Sequence, residues 1–220
     1  MAMPRVDFLG TGNAFSPHGR MHALALIDGN ILIDAPPTII TQLKRTGHSS
    51  GDIRHLLFTH WHGDHIFGFP FFLLERKYVT NRDSEVELNV YLRPGGRKIL
   101  HGLCEIGFPG SLDSLDSMVS WNEEENGLIG DTGWKFIRFP VNHNPETDPH
   151  GYQLIHSSGF NILHCGDSGP CTEIDQRALD ADVIVVEMGV PDIGEFPHHH
   201  RPSDVIKLSN RNPHAKILVT

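Results

Sequence analysis

The chain is a succession of short apolar runs bounded by Gly, Pro or Asn, with longer segments of helical periodicity between them. Bounded runs indicate core β-strands, whereas apolar residues recurring every three or four positions indicate helices. Both kinds occur in each half, which predicts two sheets packed face to face with helices outside, a layered α/β arrangement. The predicted strands are Val6 to Leu9, Ala23 to Ile27, Ile31 to Ile33, Leu56 to Phe58, Val86 to Leu92, Trp134 to Phe139, Tyr152 to His156, Phe160 to His164, Val183 to Glu187 and Lys216 to Thr220, and the predicted helices are Thr38 to Arg45, Ile66 to Tyr78, Arg97 to Ile106 and Ser203 to Ser209.

Two segments allow more than one interpretation. The stretch from Gly107 to Gly130 is acidic and poor in apolar residues, so we predict a solvated loop in preference to a flap over a site. The run from Phe69 to Leu73 could belong to the core or to the surface of a homodimer, and its composition favours the core.

Composition restricts the class of protein. A length of 220 residues with 39% hydrophobic and 20% charged residues is typical of one globular domain, here spanning 1–220. The formal net charge of -9 argues against a large nucleic acid as partner and favours a small substrate. Neither a signal core nor an apolar run of membrane-spanning length is present, so we expect a cytoplasmic protein. Three cysteines without a CxxC pair indicate neither a disulfide framework nor a zinc knuckle.

The richest chemistry lies in the hexapeptide from His60 to His65, which follows an apolar run and holds four potential metal ligands. Imidazoles one residue apart, His60 and His62, can reach one cation from an extended loop. Asp64 and His65 point elsewhere and can serve a second cation. The motif therefore predicts half of a two-metal site.

Other strand ends carry side chains suited to such a site. Asp34 ends an apolar strand, where it either orients an imidazole of the motif or simply terminates the strand. His143 follows another strand and would complete a three-imidazole site, with His150 as the competing candidate. Asp167 follows a strand beside a glycine, and there a carboxylate could bridge two cations or merely form a turn.

The residues from His60 to His65 match in full the HxHxDH motif of the metallo-β-lactamase superfamily, which the chain resembles over nearly its whole length. The segments Phe8 to Ala14, Leu32 to Asp34 and Thr59 to Gly68 are similar to its ribonuclease Z and cyclic phosphodiesterase branch. The resemblance implies a four-layer αββα sandwich, a metal-dependent hydrolase and two divalent metal ions. Zn²⁺ is the favoured metal, although imidazole and carboxylate ligands also suit Mn and Fe.

The resemblance also implies roles for particular residues. A catalytic histidine is expected in the stretch His198 to Asp204, where alignment of the following helix selects His199 and leaves His200 as the alternative. Asp64 is expected to be catalytic in addition to its metal role. The implied ligands are His60, His62 and His143 for one cation, Asp64 and His65 for the other, and Asp167 as the bridge.

One position departs from the family pattern. The family's last ligand is a histidine directly after the final strand, and Lys216 to Thr220 is that strand. We expect that the natural protein continues beyond this chain; the alternative is a second cation held by Asp64, His65 and Asp167 alone. In either case that cation should be the more weakly bound in this chain.

The expected activity is hydrolysis of small or cyclic phosphodiesters by a hydroxide between the two cations. A ribonuclease Z-like tRNA 3′ endonuclease is a poorer match, because that enzyme's tRNA-gripping arm is inserted between the third histidine and the bridging acid. Here residues 144 to 166 hold only a predicted hairpin. The HxHxDH motif also leaves open a thioester, lactone or β-lactam hydrolase, and an iron protein that handles oxygen.

Overall fold

The computed structural model describes residues 3–80 and 87–220, and within it the chain divides into two compact units, Met1–Glu124 and Glu125–Thr220. The beginning of the predicted strand Val86 to Leu92 lies outside the described residues. The single-domain organisation stays a prediction. Among the residues described, no helix combines the length and the apolar character needed to cross a membrane.

The first unit contains one six-stranded sheet in the order β1-β2-β3-β4-β5-β6. The first strand pairs antiparallel with the second and the second with the third, whereas the strands from the third to the sixth run parallel to one another. The strands are β1 (Val6–Gly10), β2 (Leu24–Ile27), β3 (Ile31–Ile33), β4 (His55–Leu57), β5 (Leu88–Tyr91) and β6 (Val119–Asn122), and the helices are α1 (Ile39–Arg45), α2 (Gly63–Ile66), α3 (Phe69–Glu75), α4 (Gly96–Gly107) and α5 (Leu115–Met118).

The apolar runs bring the site residues of this unit to one edge of its sheet. The runs in β2, β3 and β4 are buried throughout, and one face packs on α1 and α3 through residues such as Leu43 and Phe72. Because β3 and β4 are parallel, their carboxyl ends lie at the same edge. Asp34 and the motif beginning at His60 follow these ends directly.

The predicted helix from Ile66 to Tyr78 is wrong as a single element. It is divided into the end of α2, the separate helix α3 and a π-helical turn, Arg76–Thr80. The break falls at Gly68, where an added Cβ would lie 2.0 Å from the carbonyl oxygen of Pro36, so the two backbone segments pack closely at this point. Phe69 and Phe72 are fully buried and Phe71 is 55% exposed, which confirms the core interpretation for the first two side chains.

The second unit contains a six-stranded sheet in the order β12-β11-β10-β9-β8-β7. The last three strands in sequence are parallel, while the three before them form antiparallel pairs ending in the predicted hairpin. The strands are β7 (Asn126–Leu128), β8 (Trp134–Pro140), β9 (His150–His156), β10 (Asn161–His164), β11 (Val183–Val186) and β12 (Lys216–Val219), and the helices are α6 (Thr172–Arg177) and α7 (Pro202–Arg211).

This sheet also collects its site residues at one edge. The carboxyl ends of β8, β10 and β11 lie together because β8 and β10 both run antiparallel to β9, and β10 runs parallel to β11. His143, Asp167 and Glu187 follow those three ends. The core on one face of the sheet includes Phe139 and Leu163 packed against Ile174 of α6.

The prediction of a solvated loop from Gly107 to Gly130 is wrong. The segment contains α5, β6 and β7. Leu112, Leu115 and Val119 are buried, which gives even this acidic stretch enough apolar anchors to form regular structure. Helix α6 was not predicted either, since its sequence is mainly polar.

Candidate metal centre

In the first unit, the motif turns sharply from strand to helix directly after β4. His60 is 1% exposed, His62 has an extended backbone, and α2 begins at Gly63. The Nε2 atom of His60 lies 3.1 Å from Nδ1 of His62. Two imidazole ligands of a tetrahedral Zn²⁺ have nitrogens about 3.3 Å apart, given Zn–N bonds of about 2.0–2.1 Å. The two rings are therefore spaced as a pair of ligands to one cation.

A second pair of donors lies one turn further along. The Oδ2 atom of Asp64 is 3.5 Å from Nε2 of His65, whose side chain is buried. This spacing also suits two ligands of one cation, while the rings of His60 and His65 have centroids 4.1 Å apart. The first unit alone thus presents two adjacent donor pairs.

Asp34 fixes the orientation of the second pair. Its Oδ2 atom lies 2.8 Å from Nδ1 of His65 and accepts from Oγ1 of Thr59, also at 2.8 Å, while Oδ1 accepts from the Thr59 amide. Because Nδ1 of His65 must donate to this carboxylate, Nε2 is left as the metal-binding atom. The φ of 69° at Asp34 is left-handed, a conformation that Asp tolerates better than most residues. The predicted contact of Asp34 with an imidazole of the motif is confirmed.

In the second unit, His143 is 5% exposed and its Nδ1 atom lies 3.0 Å from the carbonyl oxygen of His198. A carbonyl can only accept, so Nδ1 donates and Nε2 has the lone pair that a metal requires. The competing His150 directs Nδ1 at the carbonyl of Asp148 and Nε2 at the hydroxyl of Tyr152. Both nitrogens of His150 are thus engaged by protein groups, which favours His143 as the ligand candidate.

His199 and His200 occupy different environments. The His199 side chain is 32% exposed, its Nδ1 lies 2.9 Å from Oε1 of Glu187, and its ring centroid is 4.9 Å from that of His143. His200 is 2% exposed and bonds through Nδ1 to the carbonyl of Ser168. Burial lowers the pKa of His200, which disfavours its charged form. Only His199 of the two combines access to solvent with a carboxylate partner.

Glu187 is the site residue that the sequence interpretation missed. It is 6% exposed, and burial raises the pKa of its carboxyl, while the hydrogen bond from His199 opposes the rise and the charge of Asp167 adds to it. The Oε2 atom is buried without a hydrogen-bond partner among the described residues. A signal was present, because Glu187 ends an apolar strand just as Asp34 does.

Asp167 follows β10 in a turn that Gly166 makes with a φ of 62°. The Asp167 side chain is half-buried and lies close enough to Glu187 for its charge to affect that carboxyl. In each unit the donors described are imidazole nitrogens and carboxylate oxygens, a combination that fits Zn²⁺, Mn²⁺ or Fe²⁺. These residues could therefore hold metal ions.

Solved structures with a similar fold place the chain in a class. The metallo-β-lactamase fold protein YhfI from Bacillus subtilis matches with a TM-score of 0.81 at 12% identity, over 99% of this chain and 85% of that one. A new diphosphatase from the PhnP family matches with a TM-score of 0.72 at 20% identity, over 99% and 86%. The predicted α/β fold, the metallo-β-lactamase fold, is confirmed.

The sequence itself identifies the family. Residues 4–188 match the family described as anti-Pycsar protein Apyc1, and the chain belongs to that family. A ribonuclease Z from Mycobacterium sp. (strain KMS) is 24% identical over 215 residues, which cover 92% of this chain and 75% of that relative. The predicted class, a metal-dependent hydrolase of the branch that contains ribonuclease Z and phosphodiesterases, is confirmed.

Proposed function

We propose that this hydrolase cleaves small cyclic phosphodiesters, with cyclic nucleotides as the substrate class that its family favours. The observation that carries the proposal is the presence of two donor pairs in the first unit, His60 with His62 at 3.1 Å and Asp64 with His65 at 3.5 Å. Two adjacent cations are the arrangement that many enzymes use for in-line displacement at phosphorus.

The proposed ligands are imidazoles and carboxylates that follow the ends of strands. We propose two bound cations, with Zn²⁺ as the favoured ion. The ligands are His60, His62 and His143 for one cation, Asp64 and His65 for the other, and Asp167 between them.

The metal ions, when bound, would lower the pKa of a water from about 15.7 towards 7, worth roughly 12 kcal/mol, and neutralise charge on the phosphoryl oxygens. In this proposal His199 donates a proton from Nε2 to the leaving oxygen, and the hydrogen bond between its Nδ1 and Glu187 fixes the orientation of the ring. Asp64 has a second carboxylate oxygen that can accept the proton of the attacking water.

A tRNA endonuclease is the second candidate, because curated relatives at 24% identity are named ribonuclease Z. Against it, the chain between His143 and Asp167 holds only a 3₁₀ turn and the hairpin of β9 and β10, which leaves no room for an RNA-gripping arm. The net charge of -9 also opposes a long polyanion. A cytoplasmic location and a homodimer stay predictions.

The test compares substrates of different classes on the metal-loaded protein. We expect hydrolysis of bis(p-nitrophenyl) phosphate and of cyclic nucleotides, and none of precursor tRNA, S-lactoylglutathione or nitrocefin. Cleavage of only the last two would contradict the phosphodiesterase assignment, and cleavage of tRNA alone would favour the second candidate.

A matched pair of variants tests the ligand set. Asp167→Ala should lose both hydrolysis and one bound metal ion, because its carboxylate is the proposed bridge. Asp175→Ala is the control, since Asp175 is a half-buried residue of α6 paired with Arg211 at 2.8 Å. Full activity or unchanged metal content in Asp167→Ala would refute the bridging role.

A further inference from the structure

In the second unit, two consecutive side chains hold two consecutive carbonyl groups of another loop. The Asn142 amide donates from Nδ2 to the carbonyl of Pro197 at 2.9 Å, and Nδ1 of His143 lies 3.0 Å from the carbonyl of His198. The residue after these carbonyls is His199. The proposed ligand His143 and the proposed acid His199 are thus joined by a pair of adjacent hydrogen bonds.

The same asparagine also ties down the loop that carries Asp167. The backbone N–H of Asn142 donates to Oγ of Ser168 at 3.1 Å, and its backbone carbonyl accepts from the Gly169 N–H at 2.8 Å. The side-chain amide makes a longer contact, 3.5 Å, with the carbonyl of Pro170. Asn142 therefore bonds to two loops at once, through its backbone on one side and its side chain on the other.

The orientation of this side-chain amide follows from its partners. Both neighbours of Nδ2, the carbonyls of Pro197 and Pro170, are acceptors, so the nitrogen and not the oxygen must face them. An aspartate at position 142 would place a carboxylate oxygen against these carbonyls. Position 142 therefore requires a side chain as long as asparagine that ends in a hydrogen-bond donor.

Close packing in this region leaves little room for adjustment. A Cβ added to Gly169 would lie 1.9 Å from the carbonyl oxygen of Pro197, the same oxygen that accepts from Asn142. Gly169 is buried, so relief of such a clash would require the loop of Gly169 or the loop that leads to His199 to move. Two different residues thus determine the position of one carbonyl group.

We propose that Asn142 is a positioning residue that sets the relative placement of His143 and His199 by holding the Pro197 carbonyl. The inference rests on the proposed function for the roles of the two histidines. Partners outside the ligand shell commonly change metal affinity by about 10–100-fold when removed. Loss of the Asn142 amide should therefore weaken the cation held by His143 and leave the Asp64–His65 pair unaffected.

The experiment is a Co²⁺ titration of the metal-free chain, followed by the visible spectrum, for Asn142→Asp and Asn142→Ala. We expect about 10–100-fold weaker binding at the site that His143→Ala abolishes, and less than threefold change at the other. Gly169→Ala should produce the same selective loss. Asn144→Ala is the control, because Asn144 is also half-buried in the same loop, but its side chain accepts from the nearby Glu146 amide.

Equal weakening of both cation sites, or an equal effect of Asn144→Ala, would overturn the positioning role. If the wild-type chain binds no Co²⁺, the proposed function fails. Hydrogen exchange on the metal-free protein then tests the positioning role of Asn142 independently. Exchange of the His199 amide, which donates to the Phe196 carbonyl in the loop that Asn142 holds, should then be at least 10-fold faster in Asn142→Asp than in Asn144→Ala. Unchanged exchange would refute the proposal, and this measurement also covers a variant whose metal affinity cannot be measured.

Discussion

Asp34→Asn is the most informative single change in the first unit, because it removes charge while it preserves shape. Asp34 uses one oxygen for the Thr59 amide and the other for both the Thr59 hydroxyl and Nδ1 of His65. An asparagine offers only one oxygen. If its NH₂ group takes the place of Oδ1, it faces the Thr59 N–H and that buried hydrogen bond is lost. If it takes the place of Oδ2, it faces Nδ1 of His65, which can accept only in the tautomer that protonates Nε2.

The expected cost follows from burial. Asp34 is 3% exposed, and a hydrogen bond to a charged group contributes about 1.5–3 kcal/mol. We expect the free energy of unfolding to fall by about 2 kcal/mol, which lowers Tm by about 4–8 °C in a chain of this size. Because His65 is no longer held in one tautomer, the affinity of its cation should fall about 10–100-fold.

Urea unfolding of the chelated protein and a Zn²⁺ titration measure the two effects independently. Asp28→Asn is a matched control, since Asp28 also has a left-handed backbone, with φ of 49°, but is exposed and accepts from the Arg5 amide. We expect the control to change stability by less than about 0.5 kcal/mol. If Asp34→Asn is as stable as Asp28→Asn, or binds Zn²⁺ like the wild type, the proposed role of Asp34 is wrong.

Two further outcomes are expected. Glu187→Gln should lower kcat for cyclic nucleotides by about 10-fold or more and kcat for p-nitrophenyl phosphodiesters by less than threefold. The difference is expected because p-nitrophenolate is a good leaving group that needs no proton from His199. Equal slowing of both reactions would contradict this prediction. Burial raises the pKa of the Cys104 thiol to about 12, so at pH 8 only about one molecule in 10⁴ carries the reactive thiolate. Cys104 should therefore resist iodoacetamide, whereas half-buried Cys171 should be alkylated faster, as measured by peptide mass spectrometry.

The sequence predicts best where a single rule decides the structure. Ile31 to Ile33 followed by Asp34 is an apolar strand ending in an acid, and both the strand and the contact with the motif are found. Asp64 and His65 are predicted to form a second donor pair close to His60 and His62. The turn into α2 brings the two pairs together, with the ring centroids of His60 and His65 4.1 Å apart. Local chain geometry determines the strand and the turn, whereas the contact of Asp34 with His65 follows from the parallel pairing of β3 with β4.

Prediction failed where contacts distant in sequence decide. The division of the helix at Gly68 depends on the Pro36 carbonyl, 32 residues earlier, which periodicity does not reveal. The acidic stretch after Gly107 becomes regular because β6 pairs with β5, although its composition favours a loop. The role of Glu187 requires the return of the chain to His199, so its carboxylate could be identified only after folding.

The turn of the hairpin formed by β9 and β10 is a position at which residues could be inserted far from the proposed metal ligands of the second unit. β9 has seven residues, about 23 Å of extended chain, so the Ser157–Gly159 turn lies at the opposite edge of its sheet from His143 and Asp167. The turn is exposed, and no described atom lies within 4 Å of a Cβ built on Gly159. A fluorescent or affinity module inserted in this turn would therefore lie one full strand length from the edge that carries His143 and Asp167.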